Sequence, residues 1–235
     1  RFGLAMGKEM KAVGINMDYA PVLDVHSNPD NPIIGQRAIS SNPEKVARLG
    51  CKIIQGFKDA RVFPVGKHFP GHGDTSQDSH LILPQVDRRL ESLEQIELIP
   101  FAKAFQEGLE VIMTAHVVYP AWDANIAATF SNTILKSLLR NKMGFKGLVM
   151  SDDLEMQAVT QTAEEIPALA VNAGVDLFLV CHDISKVTKL QENLIEGIER
   201  GDISHKTVDD SYQRIIKTKQ KLVGFVNDEM ILEPI

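Results

Sequence analysis

Short apolar runs alternate along this chain with longer stretches whose apolar residues recur every three or four positions. The short runs predict strands near 16–22, 62–68, 111–116, 147–151 and 176–181. Each is apolar on successive residues, the pattern of a strand covered on both faces in a parallel sheet. The longer stretches predict helices near 43–58, 93–107, 133–142, 163–173, 184–199 and 206–222. Residues 1–13 read as a further helix, with Leu4, Met6, Met10 and Val13 broadly on one face and Gly14 as its stop. Pro43-Glu44 after Ser41-Asn42 marks a helix start, and Gly174 after Ala173 a helix stop. In the last helix Val208, Tyr212, Ile215 and Ile216 are expected to pack on the body. Strand–helix alternation of this kind means an α/β fold around a parallel sheet.

Composition narrows the picture. A chain of 235 residues, 44% hydrophobic and 24% charged, is long enough for one large α/β domain. No Gly/Ser linker divides it, so a single domain with a tail at 223–235 is expected. The net charge of −6 comes without a dense basic run, which argues against nucleic acid as a partner. No apolar run approaches the ~20 residues that span a bilayer. Cys51 and Cys181 are expected to be buried free thiols. Arg1 already lies within a predicted helix, so the chain reads as beginning in mid-architecture; any signal or anchor would lie upstream.

The chemistry concentrates at the strand ends. Asp24, His68, His116, Asp152-Asp153 and His182 all stand at or just beyond the carboxyl end of a predicted strand, the edge where parallel α/β folds bind ligands. The segment Lys67 to His80 holds three histidines and two aspartates around Pro70-Gly71-His72-Gly73, a sequence that forbids a helix. In Asp78-Ser79-His80, residues two apart point the same way, so the carboxylate can orient the imidazole as a general acid/base. Side chains alternate along a strand, so of Asp152 and Asp153 one enters the pocket and the other caps a turn or bonds to backbone. Lys67 and His68 offer a cation and a neutral donor side by side, and Arg37 stands on the loop after the first strand. Trp122 and Phe130 either floor a pocket or pack over the sheet. A rival reading takes His68, His72, Asp74, Asp78, His80, His116 and Asp152 as divalent-metal ligands. The break at Pro70-Gly71 deprives His68 and His72 of the helix that would make their spacing useful.

The segment Lys67-His68-Phe69-Pro70-Gly71-His72-Gly73, followed by Asp78-Ser79-His80, closely resembles the signature of bacterial β-N-acetylglucosaminidases of glycoside hydrolase family 3. Segments Ala20–Val25, Gly35–Arg37, Thr114–Val117, Met150–Met156 and Val175–Cys181 resemble the family in the same order, to about Leu222. The resemblance implies a (β/α)8 TIM-type barrel of which about the last five βα units are present. An acidic D-x-E-G-G segment of the family is missing, so residues 1–235 are expected to be an N-terminally truncated part of its catalytic barrel domain. It further implies Asp152 as nucleophile, His80 as acid/base with Asp78 as its partner, and Arg37, Lys67 and His68 as substrate-binding residues. The implied reaction is retaining removal of terminal β-linked N-acetylglucosamine from muropeptides or chitin-type fragments. No cofactor or metal is implied, and a monomer is expected. A phosphorylase variant and a fragment that only binds sugar stay open, as does a cytoplasmic, secreted or lipid-anchored setting.

Overall fold

The computed structural model describes residues 1–77, 79 and 81–223. Five parallel strands curl into a half-barrel in the order β1 (Met17–Asp18), β2 (Phe63–Phe69), β3 (Val111–Thr114), β6 (Leu148–Asp153), β7 (Leu177–Leu179). Between β3 and β6 the chain adds an antiparallel hairpin, β4 (Val118–Tyr119) and β5 (Asp123–Ala127), which the hydrophobic pattern does not announce. Helices α1 (Phe2–Ala12), α2 (Pro43–Asp59), α3 (Leu90–Ile96), α4 (Leu98–Gln106), α5 (Ile166–Ala173), α6 (Ile184–Glu199) and α7 (His205–Val223) accompany the sheet, with a π-helix over Thr133–Lys142 and 3₁₀ turns at Gly35–Arg37 and Ala128–Phe130. This is the α/β architecture expected, a partial TIM-type barrel with five βα units.

Strand periodicity places the core. Phe63, Val65, Val111, Met113, Leu148 and Met150 share the inner face of the curl with Leu177, Leu179 and, from α7, Ile215 and Leu222. Their neighbours Ile112, Val149 and Phe178 point outward into the larger layer between sheet and helices. Helix α2 forms as its signals predict. The Asn42 side chain accepts a hydrogen bond from Lys45 N at 2.9 Å, Pro43 opens the first turn, and Val46, Ile54 and Phe57 turn inward.

Several expectations are corrected. The predicted strand 16–22 is regular only at Met17–Asp18, because Pro21 lacks a donor; the chain still keeps register through Lys67 N to the Pro21 carbonyl and Leu23 N to the Lys67 carbonyl. The predicted helix 93–107 is two helices hinged at Glu97. Helix α1 meets α2 through Gly3 and Gly7, both buried, while Leu4 is half-buried and Val13 is exposed. Tyr212 of α7 is exposed rather than packed, and so is Cys181, because β7 lies at the edge of the sheet. The tail expected at 223–235 lies, from residue 224 onward, outside the described residues.

Candidate active site

Asp24, Lys67, His68, His72, His116 and Asp152 converge at the carboxyl ends of the strands. Asp24 leaves the loop after β1 and is fully buried. Its Oδ1 accepts backbone N–H bonds from His68 (3.1 Å) and His72 (2.7 Å), and its Oδ2 lies 2.7 Å from His68 Nδ1. Burial pushes the Asp24 carboxyl up, but His68 and His72 outweigh it and hold the group below its ordinary value. The far side of the His68 ring, Nε2, faces Asp152 Oδ2 at 3.9 Å, an ion-pair distance rather than a hydrogen bond.

Asp152 is the last residue but one of β6, with its side chain about one-fifth exposed. Burial raises its pKa, yet His68, His116, the Asp153 N–H (2.8 Å to Oδ1) and Lys67 together leave it lowered, so the carboxylate is ionised at neutral pH. Asp153 behaves as side-chain alternation requires: its Oδ1 accepts from Glu155 N at 3.1 Å. Lys67 is half-buried; burial and the nearby Arg37 lower its pKa, while Asp152, Asp24 and Asp18 act the other way. Arg37 is exposed and lies within electrostatic reach of Lys67. Asp78 and His80 lie outside the described residues.

Residues that pattern reading undervalued hold this site together. His72 is buried, with Nδ1 2.9 Å from Thr75 Oγ1 and Nε2 3.1 Å from Ser79 Oγ, so it anchors the middle of the Asp-Ser-His triplet. His116 is buried, with Nδ1 2.8 Å from Thr129 Oγ1 and Nε2 3.1 Å from the Asp153 carbonyl oxygen. Asp74 is spent on Arg88 at 2.6 and 2.5 Å. These bonds leave His72, His116 and Asp74 poorly placed as a common metal-ligand set. Trp122 packs against Tyr119, and Phe130 is buried beside the His116 ring, so both serve packing. Asp24 was legible as a strand-end carboxylate; its partner across the fold was not.

At the exposed rim, Asp153, Glu155 and His182 bring possible ligand atoms within 4.8 Å of one another. Glu155 already accepts from the N–H groups of Cys181, His182 and Asp183 at 2.6–2.9 Å, which is the geometry of a capped loop rather than an ion cage. A cavity of about 440 Å³ lined by Lys136, Arg140, Lys146 and Arg214 lies at the opposite, amino-terminal end of β6 and β7. The ionisable cluster at the carboxyl ends is therefore the candidate site.

Residues 1–218 match the model of the glycosyl hydrolase family 3 N-terminal domain. The chain is 38% identical over 240 residues to β-hexosaminidase A of Pseudoalteromonas piscicida, covering 93% of this chain and 40% of that protein. It is 40% identical over 193 residues to a β-hexosaminidase of Neisseria meningitidis serogroup C, covering 81% of this chain and 53% of that one. Among solved structures, a family 3 β-N-acetylglucosaminidase from Paenibacillus sp. superposes with a TM-score of 0.94 at 40% identity, over 98% of this chain and 44% of that one. The chain thus spans about half the length of the relatives it matches.

Proposed function

The chain belongs to glycosyl hydrolase family 3, and on that premise we propose that the protein is a retaining exo-β-N-acetylhexosaminidase. Asp152 is the nucleophile. One carboxylate oxygen attacks the anomeric carbon and forms a glycosyl ester as the bond to the leaving oxygen breaks. His80, oriented by Asp78, delivers the proton that the departing oxygen needs. It then takes a proton from the water that hydrolyses the ester, which regenerates the Asp152 carboxylate. Lys67, His68 and Arg37 hold the sugar. The substrates are terminal β-linked N-acetylglucosaminides of muropeptide or chitin type, and no cofactor is required.

The observation that carries this reading is the Asp152 carboxylate at a barrel strand's carboxyl end, 3.9 Å from the buried ring of His68 and within electrostatic reach of half-buried Lys67. Relatives named β-hexosaminidase support the substrate class.

The test is release of nitrophenol from its N-acetyl-β-glucosaminide. Asp152→Ala should lower kcat by about 10³-fold or more, because it removes the covalent route. A fluorinated N-acetylglucosaminide that traps the ester should label the peptide containing Asp152, as read by mass spectrometry. Replacing His80 should harm substrates with poor leaving groups far more than nitrophenyl substrates, which need little proton donation. Equal losses on both would remove His80 from the acid role.

A further inference from the structure

We propose that Asp24 is a positioning residue that holds His68 as an imidazolium facing Asp152, so that His68 is the counter-cation of the nucleophile. The proposal deepens the reading above and rests on it. Asp24 is fully buried and its Oδ2 lies 2.7 Å from His68 Nδ1. An ionised carboxylate only accepts, so Nδ1 carries a proton. On the other side of the ring, Nε2 faces Asp152 Oδ2 at 3.9 Å. A bare lone pair there would point at a carboxylate; a proton there gives a row of carboxylate, imidazolium, carboxylate.

The neighbouring groups single out His68. His72 also faces Asp24, but burial and the charge of His68 lower its pKa to about 4, and it is neutral. His116 touches the Asp153 carbonyl through Nε2, which must donate, while burial lowers its pKa; it too is neutral. Asp153 spends its Oδ1 on Glu155 N, and the exposed Cys181 thiol is pushed up by burial and Asp153, hence uncharged. Lys67 is a second cation within electrostatic reach of Asp152, and Arg37 is within reach of Lys67. Among the described residues, His68 is the imidazole that contacts both Asp24, at 2.7 Å, and Asp152, at 3.9 Å, whereas the exposed His182 contacts Asp153 and Glu155 at the rim.

Asp24→Asn separates charge from shape. The Asn oxygen can keep the two N–H bonds from His68 and His72, which forces its amide nitrogen toward His68 Nδ1 as a donor. The ring then stays in place as the neutral tautomer with its proton on Nε2. Nitrogen NMR of the His68 imidazole in the full chain should show both nitrogens protonated in the wild type, and one in Asp24→Asn. The acidic limb of kcat/KM on the nitrophenyl substrate should move to higher pH by about one unit or more in Asp24→Asn. His68→Gln should move it equally, and the double variant no further. A limb unmoved in both single variants, with only the rate reduced, would overturn the proposal, as would a wild-type His68 bare at Nε2. If Asp24→Asn does not fold, His68→Gln and the wild-type spectrum decide. Should the wild type hydrolyse no β-N-acetylglucosaminide, the enzymatic reading falls separately. The Asp152 carboxyl titration, followed by carbon NMR in wild type and His68→Gln, then replaces the kinetic limb.

Discussion

Glu97 lies buried under the turn after β2, with Oε1 2.8 Å from the Ser27 hydroxyl and Oε2 without a partner among the described residues. A methyl group at Gly71 would stand 2.5 Å from Oε2, so only glycine lets the turn rest on this carboxyl. Burial, with Asp24 and Asp74 adding repulsion against the Ser27 bond, raises its pKa from 4.5 to about 8. A carboxyl with a raised folded-state pKa keeps its proton in the fold and loses it on unfolding. Its contribution is full below about pH 4.5 and is lost as pH rises through about 8. The urea midpoint should therefore fall over that window in the wild type, and Glu97→Gln should flatten the fall. An unchanged slope would show that another group sets it. Nothing in the local sequence distinguishes Glu97 from the surface glutamates of an amphipathic helix. Its burial comes from groups far away in sequence, among them Ser27 and Gly71, 70 and 26 positions away. The strand-end positions of Asp152 and His68 were legible because short apolar runs announce the strands that carry them.

At the scale of elements, α1 and α2 meet through glycine. A Cβ at Gly3 would lie 2.5 Å from the Ile53 carbonyl oxygen, and one at Gly56 would lie 2.4 Å from Leu4 N. Both contacts are with backbone, so the helices themselves would have to part. Gly56→Ala should cost about 1–3 kcal/mol by overpacking, despite alanine's better helix propensity, and thermal denaturation would measure it. A stabilised variant would refute the close crossing. Periodicity located six of the outer helices but hid this face, because it weighs apolar side chains and glycine has none. It merged α3 with α4, since Glu97 does not interrupt the spacing of Leu93, Leu98 and Phe101. The helix expected at 133–142 forms over those residues, but as a π-helix, a choice of hydrogen-bond register that sequence spacing does not resolve.

Across the whole molecule, Asp176 ties helices to the sheet. Its buried carboxylate accepts from Arg140 Nη2 at 2.9 Å, Ser211 Oγ at 2.7 Å, Arg214 Nε at 3.0 Å and Val149 N at 2.9 Å. Removing this carboxylate leaves the Arg140 and Arg214 guanidinium groups side by side without their shared counter-ion. Asp176→Ala should therefore lower stability by about 3–5 kcal/mol, read by urea denaturation; a loss under about 1 kcal/mol would mean the network is relaxed by water. The chain alone determined the alternation of strand and helix, the parallel sheet and the strand-end addresses of Asp24, His68 and Asp152. Those follow from local periodicity and from turn chemistry within a few residues. Tertiary structure decided which of these groups touch: that Asp24 reaches across 44 positions to His68, that His72 anchors Ser79, and that Glu97 is dry. Burial and charge pairing depend on atoms far apart in sequence, so protonation and orientation at the site emerge only when the sheet curls and brings its strand ends together.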